Sequence, residues 1–209
     1  MKVFVMAQGD GSRWSEDTYM ELPSEFKQLT PLGNETIITR TLRQLGDLDV
    51  TVIAPGEFAE YVLPFGVHLK YFRVPGSLLS GIKQAIKWMD LYDRNVILLG
   101  DVVYSNSLIS DILTMKEQYR IYGREDGNPV TGKKAKELFA LVITHDLIPL
   151  LEYDIDICLE RNKHARLWDL QGEIESLLYI DDYTDDLDSP EEYIQFWNKL
   201  EFAALEDDK

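Results

Sequence analysis

Gly9, Asp10, Gly11, Ser12 and Arg13 stand in one run directly after a short apolar segment, Lys2 to Met6. That order of residue types suits the binding of an anion. Gly9 and Gly11 lack a Cβ, so the backbone there can take positive φ and turn several N–H groups toward one point. Ser12 adds a hydroxyl, and Arg13 adds a planar cationic fork that matches phosphate oxygens. The preceding Lys-Val-Phe-Val-Met is rich in strand formers and reads as a buried strand that delivers the loop. A plain tight turn uses the same residues and is the alternative. The dinucleotide fingerprint G-x-G-x-x-G fails at Trp14, and no G-x-x-x-x-G-K-[ST] phosphate loop occurs in the chain.

Two further stretches carry groups toward the same place. Asn95 to Leu99 is the most continuous apolar run, the pattern of a central parallel strand buried on both faces, and it stops at Gly100-Asp101. An aspartate at the carboxyl end of such a strand borders the ligand crevice of an α/β sheet, with Gly100 leaving room beside it. The alternative has Asp101 starting a loop or capping the next helix. Gly76, Ser77 and Ser80 open a helix running to Trp88, whose first N–H groups and two hydroxyls face those strand ends. Ser77 reads as a helix cap, as a nucleobase contact, or as both.

Strands and helices alternate around these positions. Asn34 is expected to cap a helix over Glu35 to Leu45 that ends at Gly46, followed by a strand at Val50 to Ala54, a short helix at Glu57 to Leu63 and a strand at His68 to Val74. A helix is predicted over Asn106 to Tyr119, strands over Arg120 to Arg124 and Glu137 to Thr144, a helix over His145 to Tyr153, and a strand over Leu177 to Ile180. Asp154 to Gln171 mixes charge with isolated apolar residues and gives no clear period. Ser189 at the cap, Pro190 behind it and Glu191 and Glu192 in the first turn start a last helix through Leu205. The fold class is α/β, a three-layer α/β/α arrangement with a mostly parallel, Rossmann-like sheet, in one domain over 1–209.

Composition sets limits on partners. Of 209 residues, 45% are hydrophobic and 28% charged, as in ordinary globular proteins. Acidic residues outnumber basic ones 37 to 21, a net charge of −16, which argues against nucleic acid and against anionic membranes. A small phosphorylated substrate is repelled as well, so its site must gather cations locally or use a divalent metal. The apolar start breaks at Gln8, too short for a secretory segment, and the expectation is a cytoplasmic protein. Cys158 stands alone and reads as a small buried hydrophobe, and neither His145 nor His164 has metal-ligand spacing.

Met6-Ala7-Gln8-Gly9-Asp10-Gly11-Ser12-Arg13-Trp14, followed by Phe26-Lys27-Gln28-Leu29-Thr30-Pro31-Leu32-Gly33, resembles the signature of the nucleotidyltransferases with a GT-A-like fold. That signature reads L-A-[AG]-G-x-G-[ST]-R-[ML], then P-K-x-L-x-x-[LV]-x-G. Gln8, Trp14 and Phe26 depart from it without removing a charged or glycine position. Ser77 to Ile82 resembles the S-V-x-A-G-[LI] helix start of isoprenoid cytidylyltransferases, Leu98 to Tyr104 the family's metal-aspartate strand, and Asp186 to Glu192 its D-x-D-[ST]-P-E-[DE] segment.

The resemblance implies an enzyme that joins a nucleoside triphosphate, CTP or UTP favoured, to a phosphorylated sugar or alcohol, releasing pyrophosphate. It implies Arg13 and Lys27 as catalytic loop cations that touch phosphate and little core. It further implies nucleotide binding by Ala7, Gln8, Gly9, Asp10, Gly11, Ser12, Gly76, Ser77 and Ser80. Mg2+ is expected on Asp101 and Asp188, with Asp186 as the fallback. The region of about 123–176 is the family's variable part and commonly carries the acceptor site and a homodimer contact. Its Lys133, Lys134 and Lys136 are candidates against a plain solvated loop, and Arg161, Lys163, His164 and Arg166 are further candidates. The alternatives are a GT-A glycosyltransferase using a nucleotide-sugar and a catalytically silent nucleotide-binding protein.

Overall fold

Branched and aromatic residues in short runs, each closed by glycine, proline or a polar turn, build the sheet of this protein. The computed structural model describes residues 1–9, 26–71, 77–89, 93–125, 127, 132, 137–171, 177–187, 189 and 191–198. Asp10, Gly11, Ser12, Arg13, Gly76, Lys133, Lys134, Lys136 and Asp188 lie outside the described residues.

In chain order the elements are β1 (Lys2–Met6), β2 (Pro31–Leu32), β3 (Glu35–Thr36), α1 (Ile37–Leu45), β4 (Asp49–Ala54), α2 (Ala59–Val62), β5 (His68–Tyr71), α3 (Leu78–Ile86) and β6 (Arg94–Leu99). Then come β7 (Val102–Val103), α4 (Asn106–Thr114), β8 (Tyr119–Arg124), β9 (Glu137–Thr144), α5 (Ile148–Arg161), α6 (Leu167–Gln171), β10 (Leu177–Tyr179) and β11 (Asp185–Asp186). Residues 191–198 form a last helix, α7.

Seven strands make one sheet in the order β10-β8-β9-β6-β1-β4-β5. β1 pairs in parallel with β4 on one side and β6 on the other, β4 with β5 and β8 with β10, while β9 runs antiparallel to both its neighbours. The central strand β1 shows why three layers form. Its side chains alternate, so Val3, Val5 and Ala7 pack with α1, α2 and α4, while Phe4 and Met6 pack with α3, α5 and α6. A third, smaller cluster joins Leu32, Ile37, Val103, Leu187 and Phe196, with Tyr193 and Trp197 against it. Through it α7 clamps the short hairpin β2–β3 to the ribbon β7–β11. No helix among the described residues is long and apolar enough to cross a membrane.

Several local expectations are corrected. Asn34 does not cap α1; it follows Gly33 in the two-residue turn of the β2–β3 hairpin, where Gly33 has φ 66°. Thr36 is the cap, accepting from Thr39 N at 3.3 Å while Thr39 Oγ1 accepts from Thr36 N at 2.7 Å. The helix predicted to reach Tyr119 stops at Thr114, because Tyr119 is already paired with Ile143 in β8–β9. The helix predicted over His145 to Tyr153 begins as a 3-10 turn and continues to Arg161. Its inner stripe of Ile148, Leu151, Ile155 and Cys158 has helical spacing, but the buried Asp154 within it hid the period from a hydropathy reading.

Candidate active site

β1 and β6 end side by side, and a backbone bond holds them together past the last paired residues, Gly100 N donating to Met6 O at 2.9 Å. On the other side of β1, Ala7 N donates to Ile53 O of β4 at 2.8 Å. A Cβ on Gly100 would sit 2.8 Å from Ala7 Cβ and 3.0 Å from Met6 O. The expectation that Gly100 leaves room for a ligand is therefore corrected: Ala7 and Met6 fill that space, and the glycine lets the turn close onto β1. Immediately above it Asp101 faces a cleft of about 170 Å³ lined by Met6, Gln8, Gly9, Gln28, Leu78, Leu99 and Asp101.

A buried tyrosine fixes the Asp101 turn from below. Tyr104 is fully enclosed; its hydroxyl accepts from Leu99 N at 2.8 Å and donates toward Phe139 O at 2.6 Å. Burial pushes this hydroxyl well above its ordinary value, and the charges of Asp101 and Asp186 push it further, so it stays protonated as a donor.

Lys27 enters from the other side. It sits on a 3-10 turn, Lys27–Leu29, tied by Leu29 N to Phe26 O at 2.9 Å and Thr30 N to Lys27 O at 3.0 Å. Phe26, where the family signature has proline, packs edge-on against Phe58 with ring centroids 5.1 Å apart. An aromatic anchor thus takes the place of a rigid ring. The Lys27 side chain is 6% exposed, and its Nζ lies 3.4 Å from Asp101 Oδ2 and in contact with Asp186 Oδ1. The expectation of a loop cation touching little core is corrected for Lys27: it is enclosed and doubly paired.

Asp186 reaches that ammonium through the ribbon β7–β11, in which Asp186 opposes Val102, the residue after Asp101. The two carboxylates are 31% and 25% exposed and converge on one cation. Of the two acids weighed from sequence, Asp186 is the one described at this point. The neighbouring Asp185 faces the other way, fully buried, with Arg124 Nη1 at 3.8 Å. Arg124 also donates to the carbonyls of Asp182 and Thr184, each at 2.7 Å, and lies over the Phe139 ring. Sequence reasoning missed this buried pair; its only signal was an arginine ending a strand otherwise rich in apolar residues.

Helix α3 reaches the cleft through Leu78, and next to it Ser77 caps the helix, accepting from Ser80 N at 3.4 Å, with the two hydroxyls 3.3 Å apart. The cap reading of Ser77 therefore holds. Gln8 lies against Gly81 of α3, where a Cβ would fall 1.8 Å from its Nε2, and Gln28 Nε2 approaches Gly9 O at 3.5 Å. The structure thus brings Ala7, Gln8, Gly9, Lys27, Ser77, Ser80 and Asp101 around the ends of β1 and β6. Arg161, Lys163, His164 and Arg166 are exposed at the end of α5 and in the turn to α6. Among the described residues no group of three or more His, Cys, Asp or Glu is arranged to hold a metal by itself.

Sheet order and layers define a Rossmann-like α/β/α fold, the fold of the solved nucleotidyltransferase structures to which the chain is similar. The chain is similar in structure to a putative glucose-1-phosphate thymidylyltransferase from Bacillus anthracis, with TM-score 0.68 and 15% identity over 95% of this chain and 94% of that one. It is also similar to the CTP:phosphocholine cytidylyltransferase from Streptococcus pneumoniae, with TM-score 0.65 and 13% identity over 95% and 98% of the two chains. An inositol-1-phosphate CTP transferase from T. maritima gives TM-score 0.65 and 12% identity over 95% of each chain. No protein-family model matches the sequence, and no curated protein matches it.

Proposed function

We propose that the protein is a nucleotidyltransferase that joins a nucleoside triphosphate to a phosphorylated sugar or alcohol and releases pyrophosphate. The observation that carries this reading is the meeting of Lys27, Asp101 and Asp186 at the carboxyl ends of β1 and β6, in a fold shared with transferases of that kind. Gly9, Asp10, Gly11 and Ser12, with Ala7 and Gln8 before them, offer donors to the triphosphate. Arg13 and Lys27 offset charge that grows on the α-phosphate and the leaving pyrophosphate. Gly76, Ser77 and Ser80 serve the base.

The donor set fits a magnesium ion. Two partly exposed carboxylates already lie within reach of a single cation, and magnesium takes one or two carboxylates together with substrate phosphates and water. Asp101 and Asp186 would hold it, with Asp188 the neighbouring acid to compare; when bound it neutralises phosphate charge. An acceptor phosphate is already anionic, so the reaction needs no general base. The apolar floor of Met6, Leu78 and Leu99 and the small volume of the cleft support a pyrimidine, CTP or UTP. The enzyme is read as a cytoplasmic one-domain protein over 1–209, with a homodimer contact in its variable region.

The test is pyrophosphate release with each of the four triphosphates and magnesium against a panel of sugar phosphates and alcohol phosphates. CTP or UTP should support turnover. Release of the nucleotide from nucleotide-sugars, with no pyrophosphate from the triphosphates, would instead identify a glycosyltransferase, and nucleotide binding without any turnover a silent binding protein.

A further inference from the structure

We propose that the Lys27 ammonium is the resident counter-cation of the Asp101 and Asp186 carboxylates, and that a divalent ion takes those oxygens only as a triphosphate draws Lys27 away. This rests on the nucleotidyltransferase reading for the second half of the cycle. Its first half, competition between Lys27 and a metal, stands on geometry alone.

Two carboxylates that share one point repel each other, and in a chain of charge −16 nothing in the overall field relieves them. The lysine in turn is 6% exposed and would be costly to bury without partners. Each group therefore offsets part of the cost of the other two. The assembly is nonetheless not sealed: the two carboxylates are 31% and 25% exposed, and Asp101 lines the cleft, so its remaining oxygen surface faces an entering ligand. Lysine suits a removable cation, because it is a compact charge on a flexible four-carbon stem.

The consequence is a coupling between ligands. A free metal competes with a cation tethered beside its oxygens at high effective concentration, so it binds weakly by itself. A triphosphate offers Nζ other oxygens, releases the carboxylates, and by reciprocity each ligand strengthens the other. Lys27 thus acts as a positioning residue before it acts on phosphate.

The experiment is a titration of the full chain with Mn2+ alone, without nucleotide, followed by calorimetry or by the loss of free Mn2+ spectroscopic signal. Lys27→Met should bind Mn2+ roughly tenfold or more tightly than the wild type, the size expected when a charge competing at contact distance is removed. Adding Asp186→Asn to Lys27→Met should abolish the gain. A merely structural lysine would give weaker binding or no change, and either result overturns the proposal, as does a gain that survives Asp186→Asn. Should Lys27→Met unfold, saturating Mn2+ must restore its cooperative melting; failure to do so counts against the proposal as well. A Mn2+ gain in a protein with no pyrophosphate activity would remove the enzymatic reading and keep the competition. Activity without the gain would do the reverse.

Discussion

Asp185 and Asp186 are neighbours on one short strand and end in opposite environments. Asp185 is fully buried beside Arg124, which is 3% exposed, whereas Asp186 stays 25% exposed and meets Lys27, the partner it shares with Asp101. The strand period of two accounts for the split, because successive side chains point to opposite faces. One acid becomes an internal strut between β8, β9 and the 182–186 segment; the next becomes available for chemistry. Composition alone does not separate them. Pairing partner, guanidinium against ammonium, and exposure do.

The sharpest way to break this contrast is to remove the strut. Arg124→Met leaves the Asp185 carboxylate buried without its guanidinium, and breaking a buried pair in that way costs about 3–5 kcal/mol. Denaturant unfolding should show that loss, and any fall in activity should follow the folded fraction. If stability drops by less than about 1 kcal/mol, the pair is not the strut described, since that is the scale of exposed pairs.

On the open side the signs should reverse. Asp186→Asn leaves the enclosed Lys27 its contact with Asp101, so stability should fall by less than in Arg124→Met. Turnover should fall on the order of a hundredfold or more, as when one electrostatic partner of the transition state is lost. Steady-state kinetics beside thermal melts measures both, and Asp188→Asn in parallel decides between the two acids. Normal turnover in Asp186→Asn with collapse in Asp188→Asn would move the role to Asp188.

Much of this site was legible in the sequence, and the reasons differ residue by residue. β1, β6 and β9 announced themselves as apolar runs, and Asp101 followed from its place at a strand end. The motif match put Asp188 ahead of Asp186, and the contact of Asp186 with Lys27 was not legible, because β11 pairs with β7 only in the folded chain. The burial of Lys27 was equally invisible, since its partners lie 74 and 159 residues away. Thr36 was overlooked as a cap because Asn34 is a good cap type, and only the hairpin turn assigns Asn34 elsewhere.

Gly100 offers a gentler test of the same boundary. Alanine there would force its methyl to 2.8 Å from Ala7 Cβ, and overpacking of this kind costs about 1–3 kcal/mol. The strain falls on the turn that carries Asp101, so activity should fall further than the melt alone explains. A Gly100→Ala protein with wild-type melting and turnover would show that the turn yields freely and that the two strand ends do not fix Asp101.

The smallest effect is read on the alkaline side, through Tyr104, which is enclosed beneath the Asp101 turn. Its hydroxyl is held well above its ordinary value, by burial first and by Asp101 and Asp186 after that; Tyr122 is pushed up to about 12, chiefly by burial. In the unfolded chain tyrosines ionise near their ordinary value of about 10. Below that pH both states are protonated and the groups leave stability unchanged. As pH rises past it, the unfolded state loses protons that the folded state keeps, so stability falls until the folded groups ionise. Each such group contributes about 1.4 kcal/mol per pH unit in that window. Denaturant unfolding at a series of pH values from neutral to 11 should therefore show a declining limb that is shallower in Tyr104→Phe by about one proton. Asp186→Asn should leave the slope nearly as it is, because burial rather than the open-side charge is the larger cause of the shift. A slope that flattens as much in Asp186→Asn as in Tyr104→Phe would mean that the charge at the cleft governs Tyr104, and that the sealed and open sides are electrostatically one site.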